Sequence, residues 1–199
     1  MRVTSIKQQV KRSDRYSIFV DDKYEFSLGE SALLESKLAP GQELTKGQVN
    51  EYKQLSTDDK LYNQALRYVA MRSRSRWEIK FYLERKKQAP PALTEIILNK
   101  LSIIGLIDDD KLAQSLVHDR RLLRPASRRK IILDLQKKHI ADDIIQKALG
   151  DDSNHETEAL NSVINKKRQQ TKYQDDQKLM QYLARQGFSY DDIKSALMQ

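Results

Sequence analysis

The first thirty residues show the alternation of apolar and polar side chains that is typical of β-strands. Every second residue is apolar or aromatic over residues 16–20 and again over residues 24–28, and the polar segment 21–23 between them suits a turn. Residues 3–10 are compatible with a further strand, and the leucines within residues 30–38 have helical spacing. This pattern predicts a small β meander with one or two short helices.

From about residue 45 onward, apolar residues recur at the three- and four-residue spacing of amphipathic helices. Three leucines mark equivalent positions in this helical part, and each has apolar residues four positions earlier and ten and fourteen positions later. Eight positions before each leucine stands a residue that suits a helix N-cap. The leucines are Leu83, Leu135 and Leu183, and the N-cap residues are Ser75, Ser127 and Asp175.

This recurrence predicts a mainly α-helical protein built from three tandem three-helix repeats, preceded by a small N-terminal β meander. Stacked repeats of this kind are expected to form an elongated, curved molecule. The predicted segments are 1–58 for the N-terminal β extension with short helices, then 60–107, 108–150 and 155–199 for the repeats. Apolar residues also recur by chance in all-helical chains, but the shared N-cap and the shared spacing favour a true repeat.

The distribution of charge adds a functional hypothesis to this architecture. The chain of 199 residues carries 36 Lys and Arg against 28 Asp and Glu, for a net charge of +8. The excess lies entirely within residues 61–150, since the segments on either side are almost balanced. A basic centre between neutral ends indicates an anionic partner, of which nucleic acid is the commonest. The alternative is a set of solvated helix faces with a bias towards Lys and Arg.

Composition also excludes several classes of protein. Cysteine is absent, so disulfide scaffolds, thiolate chemistry and cysteine-ligated metal sites are excluded. No apolar run is long enough to span a bilayer, and the first residues lack the apolar stretch of a signal peptide. We therefore expect a soluble cytoplasmic protein. Because no large uncompensated apolar face stands out, we expect a monomer.

The first turns of the capped helices suggest where an anion would bind. Repeats one and two place arginines there, whereas repeat three has Asp175 and Asp176. A helix N-terminus carries a partial positive charge, so arginines are unfavourable there unless a phosphate or carboxylate docks on the free N–H groups. The alternative is that these arginines turn away into water. Trp77 is the aromatic residue best suited to stack on a base or to anchor an interface.

Around these turns, the candidate residues for binding an anionic partner are Arg72, Arg74, Arg76, Trp77, Lys80, Arg85, Lys86, Lys87, Arg120, Arg121, Arg124, Arg128, Arg129, Lys130, Lys137 and Lys138.

Motifs for catalysis are missing from the sequence. The three aspartates of residues 108–110 follow Gly105, and we interpret them as the cap of the next helix rather than as a metal site. The three histidines lie in polar stretches, and neither a nucleophile elbow nor a phosphate-binding glycine loop is present. The sequence therefore predicts no catalytic residues, no metal and no cofactor, and a protein that is not an enzyme.

Several of these segments together resemble the RecX family. The resemblance covers the whole chain and is most specific in residues 66–140: Arg72–Ile79 with Leu83 and Arg85-Lys86, then Gly105–Asp109, then the basic segments Ser127–Ile131 and Leu135–Lys138. Two departures affect local turns. A glycine that often follows the basic end of the capped helix appears only as Gly187, with His139 at that place in repeat two. Pro125-Ala126 stand where a glycine often precedes the second capped helix.

The resemblance implies a function in DNA repair and recombination. RecX-like proteins bind the RecA recombinase, chiefly its filament on single-stranded DNA, and restrain its ATP hydrolysis, strand exchange and coprotease activity in the SOS response. The candidate residues above would then contact RecA or DNA, including duplex DNA. The alternative hypothesis is an autonomous helical nucleic-acid-binding protein, such as a transcription or architectural factor.

Overall fold

The structure, a computed structural model that describes residues 1–150 and 153–198, is mainly helical with an antiparallel sheet at the N-terminus. The predicted fold class is therefore confirmed. The strands are β1 (Val3–Gln9), β2 (Arg12–Val20) and β3 (Lys23–Gly29). The helices are α1 (Glu30–Ser36), α2 (Lys46–Ala70), α3 (Arg76–Phe81), α4 (Pro91–Ile103), α5 (Asp109–Leu122), α6 (Arg128–Gln136), α7 (Asp142–Leu149), α8 (Ser153–Arg168), α9 (Asp176–Arg185) and α10 (Tyr190–Leu197). A π-helical turn, Tyr82–Lys86, follows α3, and a 3₁₀ turn, Thr171–Tyr173, precedes α9.

The sheet is a meander in the order β1-β2-β3, with every neighbouring pair antiparallel. The turn between β2 and β3 is made by Asp21 and Asp22, which both have positive φ angles, of 49° and 62°. Two residues in this conformation give a turn whose twist matches that of the flanking strands. The side chains of Ile18 and Leu28 are fully buried and pack in one cluster with Val49 of α2.

A buried ion pair connects β2 to α2. Arg15 is 4% exposed, and its guanidinium donates to Asp59 Oδ2 at 2.7 Å and to the Ser27 carbonyl at 2.8 Å. Asp59 Oδ2 also accepts the Gly29 N–H at 2.9 Å, so the carboxylate satisfies the backbone where β3 ends and α1 begins. Because both charges have several partners, the burial of this pair leaves no ionic group without compensation.

The chain forms two compact units. The first unit comprises residues 1–72 and 81–101, and the second comprises residues 73–80 and 102–199. Helix α2 is continuous across residues 58–60, where the sequence pattern places the start of repeat one. The boundaries of the N-terminal extension and of repeat one stay predictions.

Most of the apolar positions that define the repeat are buried, and the exceptions, Leu93 and Leu197, are half-buried. Within the second unit, Ile131 and Leu135 of α6 pack in one cluster with Ile145 and Leu149 of α7. The equivalent residues of α9 and α10 belong to a second cluster, and these are Leu179, Leu183 and Ile193. Ile79 and Leu83 have no exposed surface. The spacing read from the sequence therefore identified the faces that these helices bury.

Candidate nucleic-acid interface

The capped helices begin at the residues that the repeat predicts. The Ser75 and Ser127 hydroxyls accept the N–H groups of Glu78 and Lys130, each at 3.2 Å, and the Asp175 carboxylate accepts the N–H of Lys178 at 3.0 Å. Each of these bonds satisfies one of the N–H groups that a helix start leaves without a partner. The three predicted N-caps are confirmed.

The two serine caps make a second hydrogen bond that extends to the following capped helix. The Ser75 hydroxyl donates to the Lys138 carbonyl at 2.6 Å, just beyond the end of α6. The Ser127 hydroxyl donates to the Gln186 carbonyl at 2.7 Å, just beyond the end of α9. A hydroxyl can accept and donate at once, whereas an ionised carboxylate can only accept. Asp175 therefore caps its own helix without offering this second bond.

The anion at each of the first two helix starts is a carboxylate of the chain itself. The Arg76 N–H donates to Asp109 Oδ1 at 2.9 Å, and the Arg128 N–H donates to Glu156 Oε2 at 2.6 Å. Of the two anions that the sequence suggested for these N–H groups, a phosphate or a carboxylate, the structure shows carboxylates, which come from α5 and α8. Sequence reasoning missed Asp109 and Glu156 in this role, although each stands in the first turn of the helix that opens the following repeat.

Asp109 binds its helix start at an energetic cost. Burial raises the pKa of Asp109 above its ordinary value, and the hydrogen bond from the Arg76 N–H opposes this shift only in part. Its neighbours have separate roles: Asp108 caps α5 by accepting the Lys111 N–H at 2.9 Å, and Asp110 pairs with Lys147 at 2.7 Å. The interpretation of these aspartates as a helix cap is confirmed for Asp108.

Several candidate cations make contacts within the second unit. Arg74 is only 9% exposed, which places it poorly for contact with a partner. The side chains of Arg120 and Lys138 pair with Asp134 at 3.0 Å and with Glu78 at 3.3 Å, and Arg121 donates to the Leu149 carbonyl at 2.6 Å. The remaining half-buried candidates are Arg76, Lys80, Arg128 and Lys130.

Both units contain exposed candidate residues. In the second unit, the side chains of Arg124, Arg129 and Lys137 are exposed, and none of these side chains forms a hydrogen bond or ion pair with another described residue. In the first unit, the exposed candidates are Arg72, Arg85, Lys86 and Lys87. Lys87 Nζ lies 5.4 Å from the centre of the Tyr82 ring, an arrangement that holds the ammonium over an aromatic face.

Trp77 contacts a residue that the sequence did not select. Its indole stacks on the imidazole of His139 with the ring centres 3.7 Å apart and the planes 20° apart. His139 follows the Lys138 carbonyl that Ser75 binds, just as Gly187 follows the Gln186 carbonyl that Ser127 binds. The signal in the sequence was the histidine itself, because it stands where repeat three has a glycine.

Within residues 1–150 and 153–198, no group of three or more His, Asp or Glu side chains is arranged to hold a metal ion. In the same part of the chain, no helix combines the length and the apolar character that crossing a membrane requires.

Known proteins resemble this chain along its whole length. Three family models match it: the regulatory protein RecX N-terminal domain over residues 1–45, the RecX second three-helix domain over residues 108–149, and the third over residues 154–197. The Regulatory protein RecX of Bacillus licheniformis is 31% identical over 99% of this chain and 76% of its own length. That of Listeria monocytogenes serovar 1/2a is 30% identical over 98% of this chain and 74% of its own length.

Solved structures agree with these sequence matches. A crystal structure of regulatory protein RecX superposes with a TM-score of 0.75 at 28% identity and covers 100% of this chain and 99% of its own. The crystal structure of RecX from Lactobacillus salivarius gives a TM-score of 0.60 at 29% identity, over 71% of this chain and 95% of its own. These matches in sequence and in structure show that the chain belongs to the RecX family of regulatory proteins.

Proposed function

We propose that this protein binds the RecA filament on single-stranded DNA and restrains RecA's ATP hydrolysis, strand exchange and coprotease activity during recombination, repair and the SOS response. Family membership is the observation that carries the proposal, because regulation of RecA is the general role of RecX proteins. RecX is a family of regulatory proteins rather than of enzymes, so we expect the protein to act by binding.

The charged surface of the second unit supports the DNA part of this proposal. The side chains of Arg124, Arg129 and Lys137 are exposed and form no hydrogen bond or ion pair with other described residues. Cations of this kind are available to phosphates, and each phosphate that is neutralised releases counterions into solution. A regulator of RecA meets its filament on the chromosome, so the proposal implies a cytoplasmic protein, and we propose that it acts as a monomer.

The test is the ATPase activity of RecA on poly(dT), measured with increasing amounts of this protein. We expect the rate to fall at substoichiometric ratios of this protein to RecA. Unchanged hydrolysis at an equimolar ratio would contradict the proposal.

A second series separates binding to the filament from coating of the DNA. The concentration of poly(dT) is doubled at fixed RecA, and the amount of protein needed for half inhibition is measured again. For a protein that binds the RecA filament, this amount follows the RecA concentration. For a protein that only covers DNA, it follows the DNA concentration, and that result would count against the proposal.

The exposed arginines also favour the alternative, an autonomous nucleic-acid-binding protein. This alternative predicts tight binding to DNA without RecA, with an affinity that falls steeply as salt increases. A dissociation constant no better than ~10⁻⁵ M at physiological salt is the nonspecific background of basic proteins. That result would reject the alternative and leave the RecA proposal intact.

A further inference from the structure

We propose that the stacked pair of Trp77 and His139 is a platform for one unpaired base of a single-stranded nucleic acid. The inference rests on the proposed function, because it names the part of the DNA partner that this site would bind. The two rings are nearly parallel, with their centres 3.7 Å apart, so together they form one column of stacked aromatic groups. A base placed on the exposed surface of this column would extend it.

The exposure of the pair distinguishes it from the aromatic stacks that hold the fold together. Phe26 and Tyr52 also stack, but Phe26 is only 3% exposed and belongs to the core of the first unit. Trp77 is 38% exposed, and His139 is exposed as well. More than a third of the Trp77 surface therefore stays in contact with water. The exposed part of the two rings is the part that a base would contact.

The backbone at His139 gives a second argument. His139 has a φ of 54°, in the left-handed region that favours glycine, and the equivalent Gly187 has a φ of 94°. A side chain is therefore not required at residue 139, because the equivalent hydrogen bond, from the Ser127 hydroxyl to the Gln186 carbonyl, forms beside a glycine at residue 187. At residue 139 a residue with a side chain adopts this unfavourable backbone conformation, and its imidazole lies over Trp77. Strain of this kind in a folded protein often accompanies a functional role.

The groups around the pair suit a nucleic acid. Lys137 stands two residues before His139, and its side chain is exposed and has no hydrogen bond or ion pair with other described residues, so its ammonium is available to a phosphate. Nearby carboxylates are engaged, since Glu78 pairs with Lys138 at 3.3 Å and Asp109 accepts the Arg76 N–H at 2.9 Å. Bases stack on histidine and tryptophan whatever their sequence, but only where they are not already stacked within a duplex. The platform is therefore specific for single strands.

The experiment compares two oligomers of equal length and equal charge: a dT oligonucleotide and an oligomer of abasic sites. Binding to each is measured by fluorescence anisotropy in the absence of RecA. Both oligomers carry the same phosphates. The dissociation constant of the abasic oligomer divided by that of the dT oligonucleotide therefore isolates the contribution of the bases. We expect His139→Gly to reduce this ratio at least about fivefold, the lower end of the effect of one stacked base. An unchanged ratio would overturn the platform.

Two further variants guard against trivial explanations. His139→Asn removes the ring but retains a residue that tolerates positive φ, so it must reduce the ratio as His139→Gly does. Lys137→Gln is the matched control, because it removes a charge beside the pair and leaves both rings. This control should weaken binding to both oligomers by the same factor. If only His139→Gly reduced the ratio, and His139→Asn left it unchanged, a loosened backbone would explain the loss and the platform would be rejected.

Trp77 supplies an independent measurement, since it is the single tryptophan of the chain. Its emission reports on this site alone. We expect the dT oligonucleotide to change the emission at saturation and the abasic oligomer to leave it nearly constant. Equal changes with both would contradict the inference. Because RecA is absent from these assays, failure of the platform would leave the RecA ATPase result standing. The reverse failure would likewise leave the platform standing.

Discussion

Ser75 and Ser127 each make two hydrogen bonds that no carboxylate can make together. Each hydroxyl accepts an N–H of its own helix and donates to a carbonyl just beyond the next capped helix. The N–H of the residue after each serine is bound by a carboxylate from a different helix, Asp109 or Glu156. Single polar side chains thus satisfy the backbone at the places where consecutive helices meet.

Asp109→Asn tests the cost of the carboxylate that binds the first helix start. Burial makes the pKa of Asp109 higher in the folded protein than its ordinary value. The protonated acid therefore favours folding, and ionisation lowers stability as pH rises from the ordinary value through the raised one. The variant keeps an oxygen for the Arg76 N–H and does not ionise. We expect its free energy of unfolding, relative to the wild type, to increase from pH 3 to pH 7.

Urea denaturation at both pH values measures this difference. Asp109→Ala is the control, because it removes the acceptor and leaves the Arg76 N–H without a partner, at a cost of about 1–2 kcal/mol. If the free energy of unfolding of Asp109→Asn, relative to the wild type, decreased from pH 3 to pH 7, the prediction would be wrong. The ionised Asp109 would then stabilise this helix start.

Among the elements, the ends of α6 and α9 differ although their starts are alike. His139 follows α6 with a φ of 54° and carries a ring over Trp77, whereas Gly187 follows α9 with a φ of 94°. A Cβ on Gly187 would lie 2.8 Å from the Ser127 hydroxyl oxygen and 3.3 Å from Arg129 Cβ. The atoms around residue 187 are therefore packed too closely for any side chain there.

Gly187→Ala should destabilise the protein by about 2–3 kcal/mol, from the unfavourable φ together with the overpacked Cβ. Gly105→Ala is the matched control, because Gly105 has a φ of 74° but no atom within 4 Å of an added Cβ. The control should lose only the backbone contribution, about 1–2 kcal/mol. Thermal or urea denaturation of both variants gives the difference. Equal losses would mean that the close approach to Ser127 has no energetic consequence.

Across the whole chain, the basic side chains fall into two groups, those that pair within the fold and those that are exposed to water. Some cations hold the second unit together, as Arg120 does with Asp134 and Arg121 with the Leu149 carbonyl. Others, including Arg124 and Arg129, extend into water without partners among the described residues. Net charge alone does not distinguish these groups, because a paired arginine and a solvated arginine count equally towards it.

The triple variant Arg124→Gln, Arg129→Gln and Lys137→Gln tests the second group. If each side chain contacts one phosphate, affinity for single-stranded DNA falls, and the slope of log affinity against log salt decreases by ~2, at ~0.7 per phosphate. Stability should change little, because these side chains are exposed. Filter binding or anisotropy over a salt series measures the slope.

The matched control neutralises Lys166, Lys178 and Lys194, three exposed lysines of the C-terminal helices that are not among the candidate residues. It removes the same charge from a different place, so its slope should stay close to that of the wild type. Similar decreases in both variants would mean that DNA responds to the net charge and not to this surface.

Sequence patterns were sufficient wherever the structure is governed by local periodicity. The period of two in β2 and β3, the buried leucines at 83, 135 and 183, and the N-caps at 75, 127 and 175 are all confirmed. Each depends on residues within one or two turns of each other. The burial of Arg74 was not foreseen, because its exposure depends on packing with distant residues.

By itself, the sequence determined which residues face the core, where the capped helices begin and which family the chain resembles, because these properties repeat along the chain at short range. Only the tertiary structure decided which carboxylates bind the helix starts, since Asp109 and Glu156 lie 33 and 28 residues from the N–H groups they accept. It also brought His139 onto Trp77. Contacts across such separations leave no period in the sequence, and they form only when complete helices pack together.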